Sequence, residues 1–361
     1  MKIITVKQII KQLIADLIGK DSYRGVTLTY SWLANQFGHF SLGYIPSLIT
    51  YSVLKKYTLF NHPSTWAAII ISIIWLLFEA YNFLGPLLIK KQSKSKLLFI
   101  SSGSEYVFQP AWGNVAYDTF TDLCFFWLGA FSVSLFLLFS WTIVFILFIL
   151  SIMLFYPVGY WFVTKMYIQY ARLPIQFRLS QWQGELTDTD KITILNFLNK
   201  EDLSLGNHLL MFGGRRSGKS PLCVGIGTEF SIRRFPCSYY TGMKLYNLFS
   251  LTDKEILDAE NCDVWSWRTA SLLIIDDINP GSPITENFIS PEELLSIINT
   301  TVIGDSTIKN KDALVKKNVI WVMGDDKNEL NKIDNWRKML LDMGVQENKI
   351  YAIHLRSSFT E

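Results

Sequence analysis

The chain has 361 residues, a formal net charge of +3, and a composition that is 50% hydrophobic and 15% aromatic. This length allows two or three structural units, and the clustering of the apolar residues argues against an entirely soluble enzyme. Four cysteines, at positions 124, 223, 237 and 262, have no paired or metal-type spacing, so neither a disulfide framework nor a zinc site is indicated.

Residues 1–24 predict an amphipathic N-terminal segment. Apolar side chains at positions 9, 10, 13, 14, 17 and 18 follow helical spacing, so we expect a helix that lies on the membrane surface. Lys11 and Asp16 interrupt the run, and no small-residue cleavage site follows it, so a cleavable signal peptide is not indicated.

Long apolar runs predict a helical transmembrane domain over residues 25–170. Residues 66–89 contain a single charged side chain, Glu79, in a run long enough to cross a bilayer. Residues 123–164 contain no charged side chain and suit two crossings. Residues 26–54 are more polar, and a surface or re-entrant segment is the alternative to a fourth crossing.

The distribution of basic residues favours four crossings over three. With four, the basic residues of 1–24, 90–96 and 165–178 lie on one side, and only Lys55 and Lys56 lie on the other. We therefore expect a multi-pass protein of the inner (plasma) membrane, in contact with lipid, with both termini cytoplasmic. The predicted spans are about 26–54, 66–89, 121–141 and 143–165.

Glu79 and His39 fall near the middle of two of these spans, which would place them at similar depth in antiparallel helices. A carboxylate at this depth is costly and is usually paired or functional. Two interpretations remain open. The pair is either a proton or ion relay, or a polar contact that fixes helix packing.

Residues 171–204 form a predicted linker or adaptor with a short helix over 191–200, and residues 205–361 form a predicted cytosolic domain. Residues 1–170 hold 12 basic and 6 acidic side chains, whereas residues 171–361 hold 22 basic and 25 acidic ones. The slightly acidic balance of the second half disfavours nucleic acid as a partner without ruling it out.

Residues 213–220 match the phosphate-binding loop G-x-x-x-x-G-K-[ST], and the apolar run 209–212 stands before them, where the pattern requires a strand. Glycines let successive backbone N–H groups point at phosphate oxygens, and the following helix adds its positive end. Lys219 would reach the β- and γ-phosphates, and the Ser220 hydroxyl would ligate Mg²⁺. The predicted ATP-binding residues are Gly213, Gly214, Arg215, Arg216, Ser217, Gly218, Lys219 and Ser220.

Short apolar runs alternate with helical patterns after residue 205, which predicts a five-stranded parallel sheet in an α/β domain. The third run ends in Asp276 and Asp277. Asp276 would hold Mg²⁺ beside Ser220, and Asp277 would orient the attacking water as a general base. An N-cap or turn before Asn279 is the alternative. The predicted strands are Leu209–Phe212, Cys237–Tyr240, Leu272–Ile275, Val319–Met323 and Ile350–His354.

Two motifs need separate interpretation. At the end of the fourth predicted strand, Gly324 followed by Asp325 replaces the Asn, Ser or Thr that usually senses the γ-phosphate, which makes sensing there doubtful. Asn331–Asp334 matches the guanine-reading N-K-x-D of GTPases, but seven residues separate it from Met323 and no D-x-x-G follows the third strand. A GTPase is therefore disfavoured.

Roughly residues 205–355 resemble the AAA+ ATPases, and among them the replication-initiator and helicase-loader branch. The resemblance rests on the phosphate loop and on the motifs Tyr239–Gly242 with Leu245 and Phe249, Leu273–Ile278, and Val322–Asp325 with Leu330. It implies ATP, oligomerisation, and an arginine supplied to a neighbour's site, for which Arg337 is the positional match. A solvated helix face is the alternative for Arg337.

The sequence departs from that family in two ways. Glu361 follows the fifth predicted strand by a few residues, so we expect no helical lid, and four N-terminal spans are foreign to that branch. The expected function is a membrane-anchored ATPase that drives assembly or conformational change of a larger membrane complex, such as secretion machinery or a defence system. It would act as a homo-oligomer or as one subunit. The alternatives are a structural subunit with a regulatory nucleotide site, and a nucleotide-gated channel or transporter.

Overall fold

A computed structural model describes residues 4–18, 26–57, 61–88, 106–198, 206–260, 262, 264–279, 289–302, 308–324 and 333–356. The described chain divides into two compact units. The helix unit comprises residues 9–105 and 109–165, and the C-terminal unit comprises residues 166–361 with residues 1–8 and 106–108.

Five long or amphipathic helices make up the N-terminal half of the chain. They are α1 (Val6–Ile18), α2 (Leu28–Tyr57), α3 (Pro63–Leu88), α4 (Trp112–Leu137) and α5 (Trp141–Ala171). α1 exposes Ile10, Ile14 and Leu17 on one side, in keeping with the predicted amphipathic pattern. Asp16 is buried and accepts hydrogen bonds from Gln12 and Thr27.

Three helices are long and apolar enough to cross a membrane, namely Pro63–Leu84, Trp112–Leu137 and Trp141–Ala171 among the described residues. α2 is a continuous 30-residue helix, but it contains Pro46 and does not reach that apolar level. The fourth predicted span is therefore a helix without support as a crossing. The predicted span starts at about residue 121, where Asp118 and Asp122 lower the hydropathy. The helix that contains it, α4, begins earlier, at Trp112.

α2, α3 and α4 pack against one another in the helix unit. α2 and α4 meet at two glycines. A Cβ atom on Gly43 would lie 2.0 Å from the carbonyl oxygen of Phe126, and one on Gly129 would lie 2.0 Å from that of Phe40. Only glycine permits so close an approach of two helix backbones.

The C-terminal unit contains a five-stranded parallel sheet in the order β2-β3-β6-β1-β7. Its strands are β1 (His208–Gly213), β2 (Cys237–Thr241), β3 (Leu272–Asp276), β6 (Asn318–Val322) and β7 (Ile350–Leu355). The prediction of five parallel strands is confirmed. A short antiparallel pair, β4 (Thr301–Val302) and β5 (Ile308–Lys309), was not expected from the sequence.

Helices connect these strands. They are α6 (Asp188–Phe197), α7 (Lys219–Ile232), α8 (Gly242–Leu248), α9 (Asp253–Ala259), α10 (Pro291–Ile298), α11 (Asn310–Val315) and α12 (Ile333–Asp342). Thr252 and Glu255 form a capping box at the start of α9, which explains why that helix begins there.

Alternate residues of each strand enter two hydrophobic cores, one on each face of the sheet. On β1, Leu210 and Phe212 belong to one core, and Leu209 and Met211 belong to the other. Burial of both faces is typical of a parallel sheet. The region predicted as a linker contributes to the second core through Leu179, Trp182, Ile194 and Phe197.

Candidate functional site

The predicted phosphate loop connects β1 to α7. β1 ends at Gly213 and α7 begins at Lys219, so the loop lies between a buried strand and a helix N-terminus. Arg216 has a φ of 63° and Gly218 a φ of 84°, both in the left-handed region. These conformations turn the chain sharply, and a helix N-terminus presents backbone N–H groups that suit an anion.

Lys219 closes over its own loop. Its ammonium donates to the carbonyl oxygens of Gly213 at 2.6 Å and Gly214 at 2.8 Å, and it lies 3.4 Å from the Ser217 hydroxyl. The charged end of Lys219 is thereby held at the mouth of the loop. Of the other predicted loop residues, Ser217 is buried and Arg215 and Arg216 are exposed.

Asp276 is the best-fixed acidic group near the loop. It ends β3, is 1% exposed, and accepts two hydrogen bonds. The Tyr239 hydroxyl donates to Oδ2 at 2.7 Å, and the Asp277 backbone N–H donates to Oδ1 at 2.9 Å. Burial and the nearby Asp276 carboxylate raise the pKa of Tyr239, so this phenol stays protonated and donates.

Cys223 connects α7 to Asp276. Its thiol lies 4.0 Å from Asp276 Oδ2 and 3.1 Å from the Ser220 carbonyl oxygen, and burial raises its pKa well above the usual range. Residues three apart share one face of a helix. Ser220 therefore lies on the same face of α7 as Cys223.

Asp277 occupies a strained position at the edge of the site. Its φ is 51°, a region that Asp and Asn tolerate better than most side chains. Burial of the carboxyl group raises its pKa, Asp276 raises it further, and Lys219 lowers it. The pKa of Asp277 therefore depends on both Asp276 and Lys219. A group with a raised pKa beside a phosphate loop is a candidate for proton transfer.

Backbone hydrogen bonds lock the strand ends around the loop. The Gly213 N–H donates to the Gly324 carbonyl oxygen at 3.2 Å, and the Gly324 N–H donates to that of Asn279 at 2.6 Å. The buried Asn279 amide in turn exchanges two hydrogen bonds with the backbone of Ile289. Gly324 thus links the end of β1 to the segment after β3 through its backbone. Asp325 and the motif residues 331 and 332 lie outside the described residues.

Trp182 contacts the loop from a 3-10 turn, Leu179–Gln181, and has no counterpart in the sequence prediction. Its indole N–H donates to the Gly218 carbonyl oxygen at 2.9 Å. A Cβ atom on Gly218 would lie 3.1 Å from the same nitrogen, so the ring lies directly on the loop. Only the aromatic character of Trp182 could have suggested it, and no motif signals this contact.

The predicted roles of Arg337 and of the metal pair Ser220 and Asp276 involve residues outside the phosphate loop or a second copy of the chain. Arg337 lies half buried on α12, and its predicted role is in a neighbouring copy's site. Within the described part of the chain, no group of three or more His, Cys, Asp or Glu side chains is arranged to hold a metal ion. The metal position predicted at Ser220 and Asp276 stays a prediction.

No family model matches the sequence, and no curated protein is similar to it. Several solved structures are similar to half of the chain. DnaI has 15% identity over 50% of this chain and 88% of its own, with a TM-score of 0.31. The DnaC helicase loader has 16% identity over 49% and 96%, with a TM-score of 0.32. AMPPCP-bound DnaA from Aquifex aeolicus has 17% identity over 50% and 51%, with a TM-score of 0.30.

Strand order provides evidence on the fold that does not depend on these similarities. β1 lies between β6 and β7, β3 lies beside β6, and β2 forms one edge. The phosphate loop follows β1, and the acidic pair follows β3. By this order and these positions, the C-terminal unit is an α/β domain with the fold of a P-loop nucleotide-binding core.

Proposed function

We propose that the chain is a membrane-anchored ATPase whose C-terminal unit binds Mg²⁺ and ATP at Gly213–Ser220 and hydrolyses the nucleotide. One observation carries this proposal. Lys219 follows β1, the buried Asp276 ends β3 and the exposed Asp277 follows it, so all three stand at the carboxyl ends of the parallel strands, where P-loop proteins bind nucleotide.

Binding would rely on the loop and on Lys219. A phosphate chain would receive backbone N–H groups at the start of α7 and the positive end of its dipole. Lys219 already lies at the loop mouth, held by two carbonyl oxygens. It would exchange these neutral acceptors for charged phosphate oxygens, which form the stronger hydrogen bonds.

The residues beside the loop fit Mg²⁺. The metal prefers oxygen donors, and the Ser220 hydroxyl and the Asp276 carboxylate supply them. Both Asp276 oxygens are already oriented, by Tyr239 and by the Asp277 N–H. Second-shell hydrogen bonds of this kind fix a carboxylate for metal binding. Bound Mg²⁺ would neutralise charge that develops on the phosphates.

Hydrolysis would use Asp277 as the base that orients the attacking water. Its carboxylate is next to Asp276 in the chain and within electrostatic range of Lys219, which supports a place for it near the γ-phosphate. An arginine from a second copy would complete the site, and Arg337 is the candidate. This arrangement makes assembly a condition for fast turnover.

The apolar helices would anchor this ATPase in the inner membrane with both termini cytoplasmic, in contact with lipid. Three described helices are long and apolar enough to cross it. We propose that ATP sets the state of a larger membrane complex, built of copies of this chain or of several subunits, in a secretion, translocation or defence setting.

ATP turnover by the detergent-solubilised full-length protein tests the proposal. We expect measurable phosphate release from the wild type and its loss in Lys219→Ala and Asp277→Asn. Lys254→Ala, at an exposed lysine on α9, is the matched control. Equal rates in the wild type and both site variants would refute hydrolysis at this site.

A second candidate function is a structural membrane subunit with a regulatory nucleotide site. Gly324 supports it, because glycine has no side chain at the position after β6 where the sequence analysis expected an Asn, Ser or Thr sensor. This candidate predicts nucleotide binding that Lys219→Ala weakens, together with wild-type turnover no faster than that of Asp277→Asn.

A further inference from the structure

α1 turns apolar side chains outward and polar side chains inward. Six of its large apolar side chains are between 36% and 74% exposed, whereas Asp16 is 2% exposed. Helical spacing places these six on one side of α1, away from Gln12 and Asp16. A helix that packs its apolar side on the protein has the reverse arrangement. The exposed set, called the α1 apolar face below, is Val6, Ile10, Leu13, Ile14, Leu17 and Ile18.

Hydrogen bonds hold the polar side of α1 against the start of α2. Gln12 Nε2 donates to Asp16 Oδ1 at 2.7 Å and to the Thr29 hydroxyl at 3.1 Å. The Thr27 hydroxyl donates to the same Asp16 oxygen at 2.9 Å. Asp16 and Thr29 are buried, so a rotation of α1 that buried its apolar face would break hydrogen bonds of buried groups, which is costly. The α1 apolar face is therefore held outward.

The charged side chains of α1 favour an anionic partner for this face. Lys7 and Lys11 are exposed and border it, since each lies three residues before one of its isoleucines. Asp16, the acidic residue of α1, lies on the side bonded to α2. A lysine beside an apolar face keeps its methylene groups on that face and extends its ammonium group to a headgroup. This combination suits the surface of an anionic bilayer.

The size of the α1 apolar face favours a bilayer over a second copy of the chain. α1 has 13 residues and is therefore about 20 Å long. Its six exposed apolar side chains compare with about 20–30 residues on each side of a standard protein interface. A bilayer surface requires only a narrow apolar side, which enters it by about 5–10 Å. Among the described residues, three helices of the same chain are long and apolar enough to cross a membrane.

We propose that α1 is an interfacial helix that binds anionic phospholipid. The α1 apolar face enters the acyl boundary, and the ammonium groups of Lys7 and Lys11 bind phosphate oxygens of the headgroups. Free phosphate would leave the apolar face in water, so the partner is a lipid surface. The proposal rests on the membrane anchoring proposed above and not on ATP binding or hydrolysis.

Spin-label accessibility in the full-length protein tests this surface. Leu17→Cys is labelled and reconstituted in phosphatidylcholine nanodiscs with or without phosphatidylglycerol. The four native cysteines are buried, so the label goes to the introduced thiol. We expect the label to collide more with oxygen, which concentrates in lipid, than with a water-soluble nickel complex. Phosphatidylglycerol should increase the lipid-bound population, and Lys7→Gln and Lys11→Gln should each reduce it by about fivefold.

Two further labels serve as controls. Phe155→Cys, at an 85% exposed position of α5, should report lipid, and Lys254→Cys, at an exposed position of α9, should report water. A Leu17 label that behaves like the Lys254 label overturns the proposal, and if the Phe155 label also reports water, the membrane anchoring fails with it. Ile10→Cys gives the same reading if Leu17→Cys does not fold.

Two other results would also overturn binding of anionic lipid by α1. Spin–spin broadening between Leu17 labels on different copies would show that a second copy of the chain covers the α1 apolar face. An equal lipid-bound population with and without phosphatidylglycerol would show that the headgroup charge is not recognised.

Discussion

The indole N–H of Trp182 donates to the carbonyl oxygen of Gly218 across 2.9 Å. Gly218 has a left-handed backbone and directly precedes Lys219, so the contact supports the turn that aims the lysine. Trp182 itself is 3% exposed and packs beside Phe108 and the second core. The shape of the phosphate loop thus depends on a residue far from it in sequence.

Trp182→Phe keeps an aromatic ring and removes the donor. We expect nucleotide affinity to fall by roughly fivefold, the equivalent of about 1 kcal/mol for one neutral hydrogen bond. Titration calorimetry with a non-hydrolysable ATP analogue measures it. Trp267→Phe serves as the control for loss of a buried indole away from the loop. Unchanged affinity in Trp182→Phe would show that the loop holds its shape unaided.

Lys219→Ala should weaken nucleotide binding by about 10- to 100-fold, because one charge-assisted interaction with phosphate oxygens is lost. The fold should persist, since Lys219 is half buried at the loop mouth and belongs to neither core. Fluorescent-nucleotide titration measures the affinity. Lys254→Ala on α9 is expected to bind like the wild type.

Tyr239→Phe removes the hydrogen bond to Asp276 Oδ2 and leaves the ring in place. Loss of such an orienting partner typically costs about 10-fold or more in metal affinity. We expect the Mg²⁺ concentration for half-maximal activity to rise by that factor, with little change in affinity for nucleotide without metal. Tyr351→Phe on β7 provides the matched control. A normal Mg²⁺ requirement in Tyr239→Phe would mean that Asp276 does not bind the metal.

Asp277→Asn should lower turnover by roughly 100-fold or more while nucleotide binding persists. Because burial and Asp276 raise the pKa of Asp277, wild-type activity should rise with pH through a value above the usual 3.8. The folded state binds this proton more tightly than the unfolded state, so the carboxyl group lowers stability as pH rises.

Asp277→Asn is therefore expected to be more stable than the wild type at neutral pH and equal to it below about pH 3.8. Urea unfolding across this range measures the difference. The same stability gap at low and neutral pH would contradict a raised pKa.

The buried Lys317 should give the free energy of unfolding a second dependence on pH. It is fully buried, and its ammonium donates to the Trp267 carbonyl oxygen near Asp253 and Arg268. Burial lowers its pKa from 10.5 to about 7. Between these values the unfolded chain binds a proton that the folded chain does not, so the free energy of unfolding rises with pH.

Lys317→Met should remove this rise and stabilise the protein near pH 7. Lys316→Met, at the exposed neighbouring lysine, is the matched control and should keep the wild-type slope. Urea midpoints at about pH 7 and about pH 10 measure the slope. A slope retained in Lys317→Met would assign the effect to another group.

Local patterns predicted the sheet well. The run Leu209–Phe212 falls within β1, and the loop motif fixed the start of α7 at Lys219. Which strands pair with one another could not be predicted from these local patterns. The Tyr239–Asp276 bond exists because β2 pairs with β3, and nothing near Tyr239 in the sequence names its partner.

In the helix unit, too, local sequence patterns predicted helices but not the contacts between them. Glu79 and His39 were expected at similar depth in the membrane, which stays a prediction. The group in direct contact with His39 is Asp122, which arrives from α4 through the packing of three helices. The sequence predicted a membrane span from about residue 121, whereas the helix that contains it, α4, begins at Trp112 and includes Asp118.

The contact between Gly43 and Gly129 constrains how the helix unit can move. Each glycine lies against a carbonyl oxygen of the other helix, so α2 and α4 have no side chain between them at that point. Sliding along the contact would drive neighbouring side chains into the opposing backbone. We therefore expect relative motion of α2 and α4 to be a rotation about this closest contact. Such a rotation would change the distance between His39 and Asp122.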